Sequence, residues 1–488
     1  MPQTTIRISI LVIALAIGGG SVAPQWAFRT RPWWLTACAI EGMPDPAWCG
    51  TVTVAETPTR WLSRRISIRV VVVPARTEPP APDPILLLVG GPGQSAVDLV
   101  VPLSQRADAL RDRRDLVLIE QRGTGLSSGL HCDPPASAVD LMGRLFEPDR
   151  LAACRDQLSL RADPTRYTTT LAAGDYDRIL ESLRYRQVNV WGVSYGTRLG
   201  LEIARRFPRR VRTLLLEGVV PMTFTWPSSG AADLDAALEA LVDDCAADAD
   251  CSGAFPTFAQ DVATAFGRLR GTVQSIQVQD PATGVTLRVP FSATDLAYAT
   301  RGLLYGNDAL SLPFFFAEAA RGRYDAFAQA YVMRARTLDR EIARGVHLGV
   351  YCAEDLPFVD WPRALEAAAG TRIGPYLLDE YRRACELWPR AAIPSSFRDP
   401  ITVAVPSLLM SGRRDPVTPP RTAEDAAHMM AWARVLVWKY GGHGTHGLIG
   451  RECWTQIVRD FIDSADPNRL SIACMDADPR QPFRLPSR

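Results

Sequence analysis

Val188-Asn189-Val190-Trp191-Gly192-Val193-Ser194-Tyr195-Gly196 is the stretch that decides the fold. The apolar run at 188–191 reads as a short buried strand, and a G-x-S-x-G pentapeptide follows it directly. Downstream, Leu199, Ile203, Ala204 and Phe207 recur at helical spacing. A serine between two glycines at a strand-to-helix junction is a nucleophile elbow. The glycines let the chain turn sharply enough to hold the serine strained, with its hydroxyl presented outward. Such pentapeptides also occur in ordinary turns. The strand–turn–helix setting is what makes Ser194 a candidate nucleophile.

The same kind of strand recurs on either side. Residues 85–89, 116–119 and 213–216 are short apolar runs of the sort buried on both faces of a parallel sheet. Helical stretches such as 171–183 lie between them, and the alternation defines an α/β fold with helices on both faces of the sheet. Residues 51–54 and 66–73 read as an opening antiparallel pair. From 222 to 399 the rhythm turns mainly helical, at 234–241, 258–269, 296–304 and 324–335, around a β-rich patch at 273–289. Strands return at 403–410 and 435–438. The expected organisation is a leader at 1–23, a core in two parts at 24–221 and 400–488, and a large helical insertion at 222–399. Three independent domains are the alternative, but the last would hold only two strands.

A chain of 488 residues with 47% hydrophobic and 22% charged residues is globular. Its net charge of +1 gives no field of one sign, which argues against nucleic acid as a partner. Arg7, the apolar run 8–17 and the small residues 18–23 read as an export signal too short to span a bilayer, with an uncleaved anchor as the alternative. No stable membrane insertion is expected once the signal is cleaved. The ten cysteines fall into five sequence neighbours, Cys38/Cys49, Cys132/Cys154, Cys245/Cys251, Cys352/Cys385 and Cys453/Cys474. Sequential disulfides in a secreted or periplasmic protein are the simplest reading, and no C-x-x-C pair supports a zinc site.

A serine hydroxyl needs a base, and the base needs an orienting carboxylate. On an α/β-hydrolase core these follow in the order serine, acid, histidine, on loops beyond strand ends. Asp415, in Ser411-Gly412-Arg413-Arg414-Asp415-Pro416-Val417-Thr418-Pro419, fits the acid, although aspartate before proline also starts ordinary turns. His131 and His347 precede it, and His428 lies within a helical stretch. His443 and His446 remain, in the glycine-rich loop 441–447. His443 comes first after the strand and is the preferred base, with His446 the alternative. Gly90-Gly91-Pro92-Gly93 offers backbone donors to an oxyanion, and Gly91 N–H with Tyr195 N–H is the expected pair. Such a site requires neither metal nor cofactor.

These motifs, with Gln121-Arg122-Gly123-Thr124-Gly125-Leu126-Ser127 and Gly442-His443-Gly444 before Cys453, resemble the proline iminopeptidase and tripeptidyl aminopeptidase family of serine peptidases. Val89 stands where a histidine often opens the G-G-P-G loop. The resemblance implies an α/β-hydrolase fold with a helical cap and removal of one or a few residues from peptide N-termini. It also implies an anion for the substrate's ammonium group. Glu354 and Asp355 are candidates, against the plainer reading of a solvated helix-end pair. Esterases and lactonases acting on small esters share the resemblance, so acyl transfer is better defined than the substrate. A binding protein that keeps the fold without catalysis is the remaining alternative.

Overall fold

Strands apolar on both faces must lie between two helical layers. In the computed structural model, which describes residues 32–402, 404–445, 448, 451–477 and 481–486, they do. The strands are β1 (Thr36–Cys38), β2 (Ala47–Ala55), β3 (Arg65–Val73), β4 (Ile85–Leu88), β5 (Leu116–Ile119), β6 (Val188–Val193), β7 (Val211–Glu217), β8 (Gln274–Gln279), β9 (Thr286–Phe291), β10 (Ser407–Gly412) and β11 (Ala433–Trp438). Nine form one sheet in the order β1-β2-β3-β5-β4-β6-β7-β10-β11, and β8 pairs with β9 apart from it. The three strands β1 to β3 run antiparallel, and from β5 to β11 neighbours are parallel. Period-two alternation sends Leu86, Leu88, Val117 and Ile119 to one core and Ile85, Leu87, Leu116 and Leu118 to the other.

Helices α1 (Val100–Arg106), α2 (Pro148–Ser159), α3 (Thr169–Ser182) and α4 (Tyr195–Arg206) connect the early strands. Between β7 and β10 the chain makes α5 (Gly230–Ala246), α6 (Ala249–Ala254), α7 (Phe258–Leu269), α8 (Ala293–Leu303), α9 (Leu312–Ala320), α10 (Asp325–Glu341), α11 (Arg344–Glu354), α12 (Trp361–Ala369) and α13 (Tyr376–Leu387). After it come α14 (Pro420–Ala427), α15 (Arg451–Ser464) and α16 (Ala473–Asp476). The large core joins sheet, α3, α4 and the 222–399 segment, so that segment packs on the side of the sheet that carries α4. Helix α15 supplies Trp454, Ile457, Val458 and Phe461 to the opposite face.

Most elements extend a few residues beyond the sequence reading, and two boundaries differ more instructively. The strand expected at 403–410 is β10, six residues beginning at Ser407, because Pro406 has no N–H to donate to a ladder. It continues through Ser411 and Gly412, which pair with Val437 and Trp438. Helix α10 runs on to Glu341, beyond the expected end at 335. The segment expected to be an export signal lies outside the described residues, among which no helix is long and apolar enough to cross a membrane. Five disulfides join the sequence neighbours, Cys38–Cys49, Cys132–Cys154, Cys245–Cys251, Cys352–Cys385 and Cys453–Cys474.

Candidate active site

Parallel registers bring the strand ends together. Leu88 pairs with Gly192, Val193 with Glu217, Glu217 with Met410, and Gly412 with Trp438. The loops carrying Gly90, Ser194, Gly218, Asp415 and His443 therefore leave the sheet along one edge. Ser194 has φ 56 and ψ −127, a strained conformation for a residue with a side chain, and its N–H donates to Glu217 O at 2.8 Å. Glycine is required on both sides of it. A Cβ on Gly192 would lie 2.6 Å from Gly196 O, and one on Gly196 would lie 2.3 Å from Leu88 O.

Asp415 and His443 meet as a hydrogen-bonded pair. His443 Nδ1 lies 2.9 Å from both Asp415 oxygens, and the ring is buried against Tyr305, with ring centroids 4.9 Å apart. Asp415 also accepts from Val417 N–H (2.8 Å), Thr418 N–H (2.9 Å), Thr418 Oγ1 (2.7 Å) and Gly444 N–H (3.1 Å). Burial alone would raise its pKa, but the imidazole and these donors hold the carboxyl below its usual range. It stays ionised, and a carboxylate fixed on Nδ1 leaves Nε2 as the ring nitrogen free to take a proton. His446 lies outside the described residues. Ser194 and His443 line the same cavity, and no hydrogen bond joins the serine hydroxyl to the imidazole.

The glycine loop comes close to the serine. A Cβ on Gly90 would lie 2.9 Å from Ser194 Cβ. Gly91 (φ 110) and Gly93 (φ 108) need the left-handed region, and the loop is tied to α11 by Ala343 N–H to Gly93 O at 2.9 Å. His347 Nδ1 is 3.2 Å from Pro92 O, and its Nε2 is 2.9 Å from the Tyr381 hydroxyl. Burial pushes that imidazole down to about 3, so it is a neutral strut. Tyr195 is the first residue of α4, so its N–H has no intrahelical acceptor. Its buried phenol is pinned by Thr169 Oγ1 (2.7 Å) and Gln121 Nε2 (3.1 Å).

Glu354 and Asp355 are not where an ammonium group could reach them. Both are fully buried behind the elbow, and neither lines the cavity. Glu354 accepts from Thr169 N–H and Oγ1, each at 2.7 Å. Asp355 holds Arg198 through two hydrogen bonds of 2.8 and 3.0 Å. The end of α11 points inward, onto α3 and α4, which excludes the solvated helix-end reading as well. The Gln-Arg-Gly motif is likewise structural in its arginine. Arg122 is fully buried and clasps Asp175 of α3 at 2.6 and 2.9 Å.

Residues that no motif marked complete the site. The Glu217 carboxylate ends β7 and takes four donors: Trp191 Nε1 (3.0 Å), Trp454 Nε1 (3.1 Å), Arg106 Nη2 (2.6 Å) and Thr445 Oγ1 (2.5 Å). It thereby ties α1, α15 and the histidine loop to the sheet edge. A cavity of about 460 Å³ is lined by Ser194 and His443 and, from the 222–399 segment, by Trp226, Tyr298, Tyr305, Leu338, Glu341 and Tyr351 among others. Among the described residues no group of histidine, cysteine and carboxylate side chains is arranged to hold a metal.

A family model described as alpha/beta hydrolase fold matches residues 83–448, and the chain belongs to that family. Serine protease Hip1 of Mycobacterium tuberculosis is similar at 24% identity over 375 residues, 70% of this chain and 71% of that protein. Tripeptidyl aminopeptidase of Streptomyces lividans is 26% identical over 218 residues, 41% of each chain. The crystal structure of a proline iminopeptidase from Mycobacterium smegmatis aligns with 86% of this chain and 99% of its own, at 17% identity and a TM-score of 0.41. The protein is a serine hydrolase of the α/β-hydrolase fold, with peptidases among its relatives.

Proposed function

We propose that the chain is an exported aminopeptidase that releases one or a few residues from short peptides through an acyl-enzyme on Ser194. His443 takes the serine proton at Nε2 as Oγ attacks the scissile carbonyl, and Asp415 steadies the imidazolium that forms. Gly91 N–H and Tyr195 N–H receive the oxyanion. His443 returns the proton to the leaving amine, and water then releases the acyl group by the reverse sequence.

The observation that carries this reading is the lining that the 222–399 segment contributes to the Ser194 cavity, in which Glu341 at the end of α10 is the one carboxylate among the described residues. A cavity that such an insertion helps to enclose suits a chain end better than an internal segment of a folded protein. Glu341, held by Gln94 Nε2 at 3.4 Å, is the anion we assign to the substrate's ammonium group. Five disulfides favour an oxidising compartment, and hence export. Aminoacyl and tripeptidyl arylamides, compared with acetyl-blocked equivalents and with simple aryl esters, test the reading. Preference for free amines is expected. Efficient cleavage of blocked peptides would overturn the aminopeptidase reading, and turnover of esters alone would replace it with an esterase.

A further inference from the structure

The cavity carries more positive charge than its walls neutralise. Five arginines line it, and three have carboxylate partners: Arg106 with Glu217, Arg198 with Asp355, and Arg344 with Asp339. Arg301 of α8 and Arg334 of α10 form no ion pair among the described residues. In a chain with 54 basic and 53 acidic side chains, partners are not scarce. Both guanidinium groups instead lie over the same ring, that of Tyr305, at 5.5 and 4.9 Å from its centroid. Arg301 also lies over Trp226 at 4.9 Å, and its Nε is buried without a hydrogen-bond partner. The same cavity is lined by the rings of Tyr298, Tyr305, Tyr351 and Tyr381. Tyr305 in turn packs against the His443 imidazole. Two like charges are thus held one aromatic ring away from the proposed base.

We propose that Arg301 and Arg334 form a subsite for a carboxylate of the substrate. A planar guanidinium stacked on an aromatic ring keeps its N–H edge available for a carboxylate, which it binds bidentately. Helix α10 adds a length. Arg334, Leu338 and Glu341 all line the cavity, at spacings of four and three that put them on one helix face. The cation and the anion are two turns apart, about 10 Å along the axis. An extended tripeptide spans roughly the same distance. A short peptide with both ends free matches that pattern, its ammonium at Glu341 and its carboxylate at the arginines. An acidic side chain on the acyl residue is the other source of the same group.

The inference rests on Ser194 as nucleophile, and its test separates the two claims. The kcat/KM ratio is measured for trialanine against its C-terminal amide, and for glutamyl against glutaminyl arylamide. The first pair reads a terminal carboxylate and the second a side-chain one. The native enzyme is expected to favour the acid in one pair by about tenfold or more, the scale of a charged hydrogen bond. Arg301→Gln and Arg334→Gln should each shrink that ratio, and R334Q alone carries the reading where R301Q fails to fold. In parallel, glutarate should slow fluorophosphonate labelling of Ser194 more than glutaramide does. Ratios near one in both pairs together with equal protection would overturn the subsite, as would ratios unchanged in R334Q. An enzyme that labels at Ser194 yet cleaves no free-amine peptide refutes the aminopeptidase reading and leaves the protection ratio to decide the subsite.

Discussion

Asp355→Ala should unfold the site from behind rather than weaken substrate binding. The Arg198–Asp355 side chains are 1% and 0% exposed, so the pair is desolvated and no solvent screening softens its loss. Truncation removes two charge-assisted hydrogen bonds from Arg198 and an acceptor 3.3 Å from Trp226 N–H. Arg198 keeps the carbonyls of Phe224 (2.8 Å) and Pro221 (3.4 Å), but it loses the one carboxylate hydrogen-bonded to it, and Glu354 remains nearby without a direct bond. Breaking a buried pair in this way costs about 3–5 kcal/mol. Unfolding entropy near 2.1 cal/mol/K per residue gives about 1 kcal/mol/K for a folded unit of ~450 residues, hence a melting point lowered by roughly 3–5 °C. Arg198, Phe224 and Trp226 all line the cavity, so activity should fall alike on free-amine peptides and on aryl esters. Scanning calorimetry beside both assays reads this. Native-like melting with a raised KM for free-amine substrates alone would mean that Asp355 binds the ammonium group after all.

Glu354 supplies a pH signature. Burial pushes its carboxyl up from 4.5 to about 7, with Arg198 and the Thr169 hydrogen bonds offsetting only part of the effect. The folded state therefore holds this proton more tightly than the unfolded chain, and the group's contribution is full below about 4.5 and lost as pH rises through 7. Melting points from pH 5 to 8 should fall less steeply in Glu354→Gln than in the native protein, and an unchanged slope would refute the assignment. Gly90→Ala would set a methyl 2.9 Å from Ser194 Cβ and 3.4 Å from Oγ, displacing the nucleophile. We expect ~100-fold lower kcat/KM from such misplacement, with little change in melting, and unimpaired turnover would count against the loop's position. Asp415→Asn should lower kcat by about 10⁴ through the wrong imidazole tautomer while the protein still melts cooperatively, and a loss under tenfold would contradict His443–Asp415 coupling.

Much of the fold was readable because period and turn chemistry are local signals. The six strands read around Ser194, Asp415 and His443 each lie in one sheet, and the glycines at 192 and 196 announced a sharp turn, in which neither position has room for a Cβ. Cysteine pairing followed sequence neighbours for the same reason. What local signals cannot carry is direction. Glu354 and Asp355 stand next to a cysteine on a helix, and nothing in that spacing tells which face turns toward the elbow. Arg301, Arg334 and Glu341 sit in ordinary helical runs, and only the packing of α8 and α10 brings them to one cavity. Glu217 was one acidic residue ending a strand until four donors from distant elements met on it.

The central claim is that chemistry begins at Ser194, at the strained turn between β6 and α4. Peptide mass spectrometry after treatment with a fluorophosphonate tests it directly, on the native protein and on Ser194→Ala. One adduct is expected, on the peptide that contains Ser194, and none in the variant. An adduct on another residue of the native protein, or labelling retained in Ser194→Ala, would contradict it.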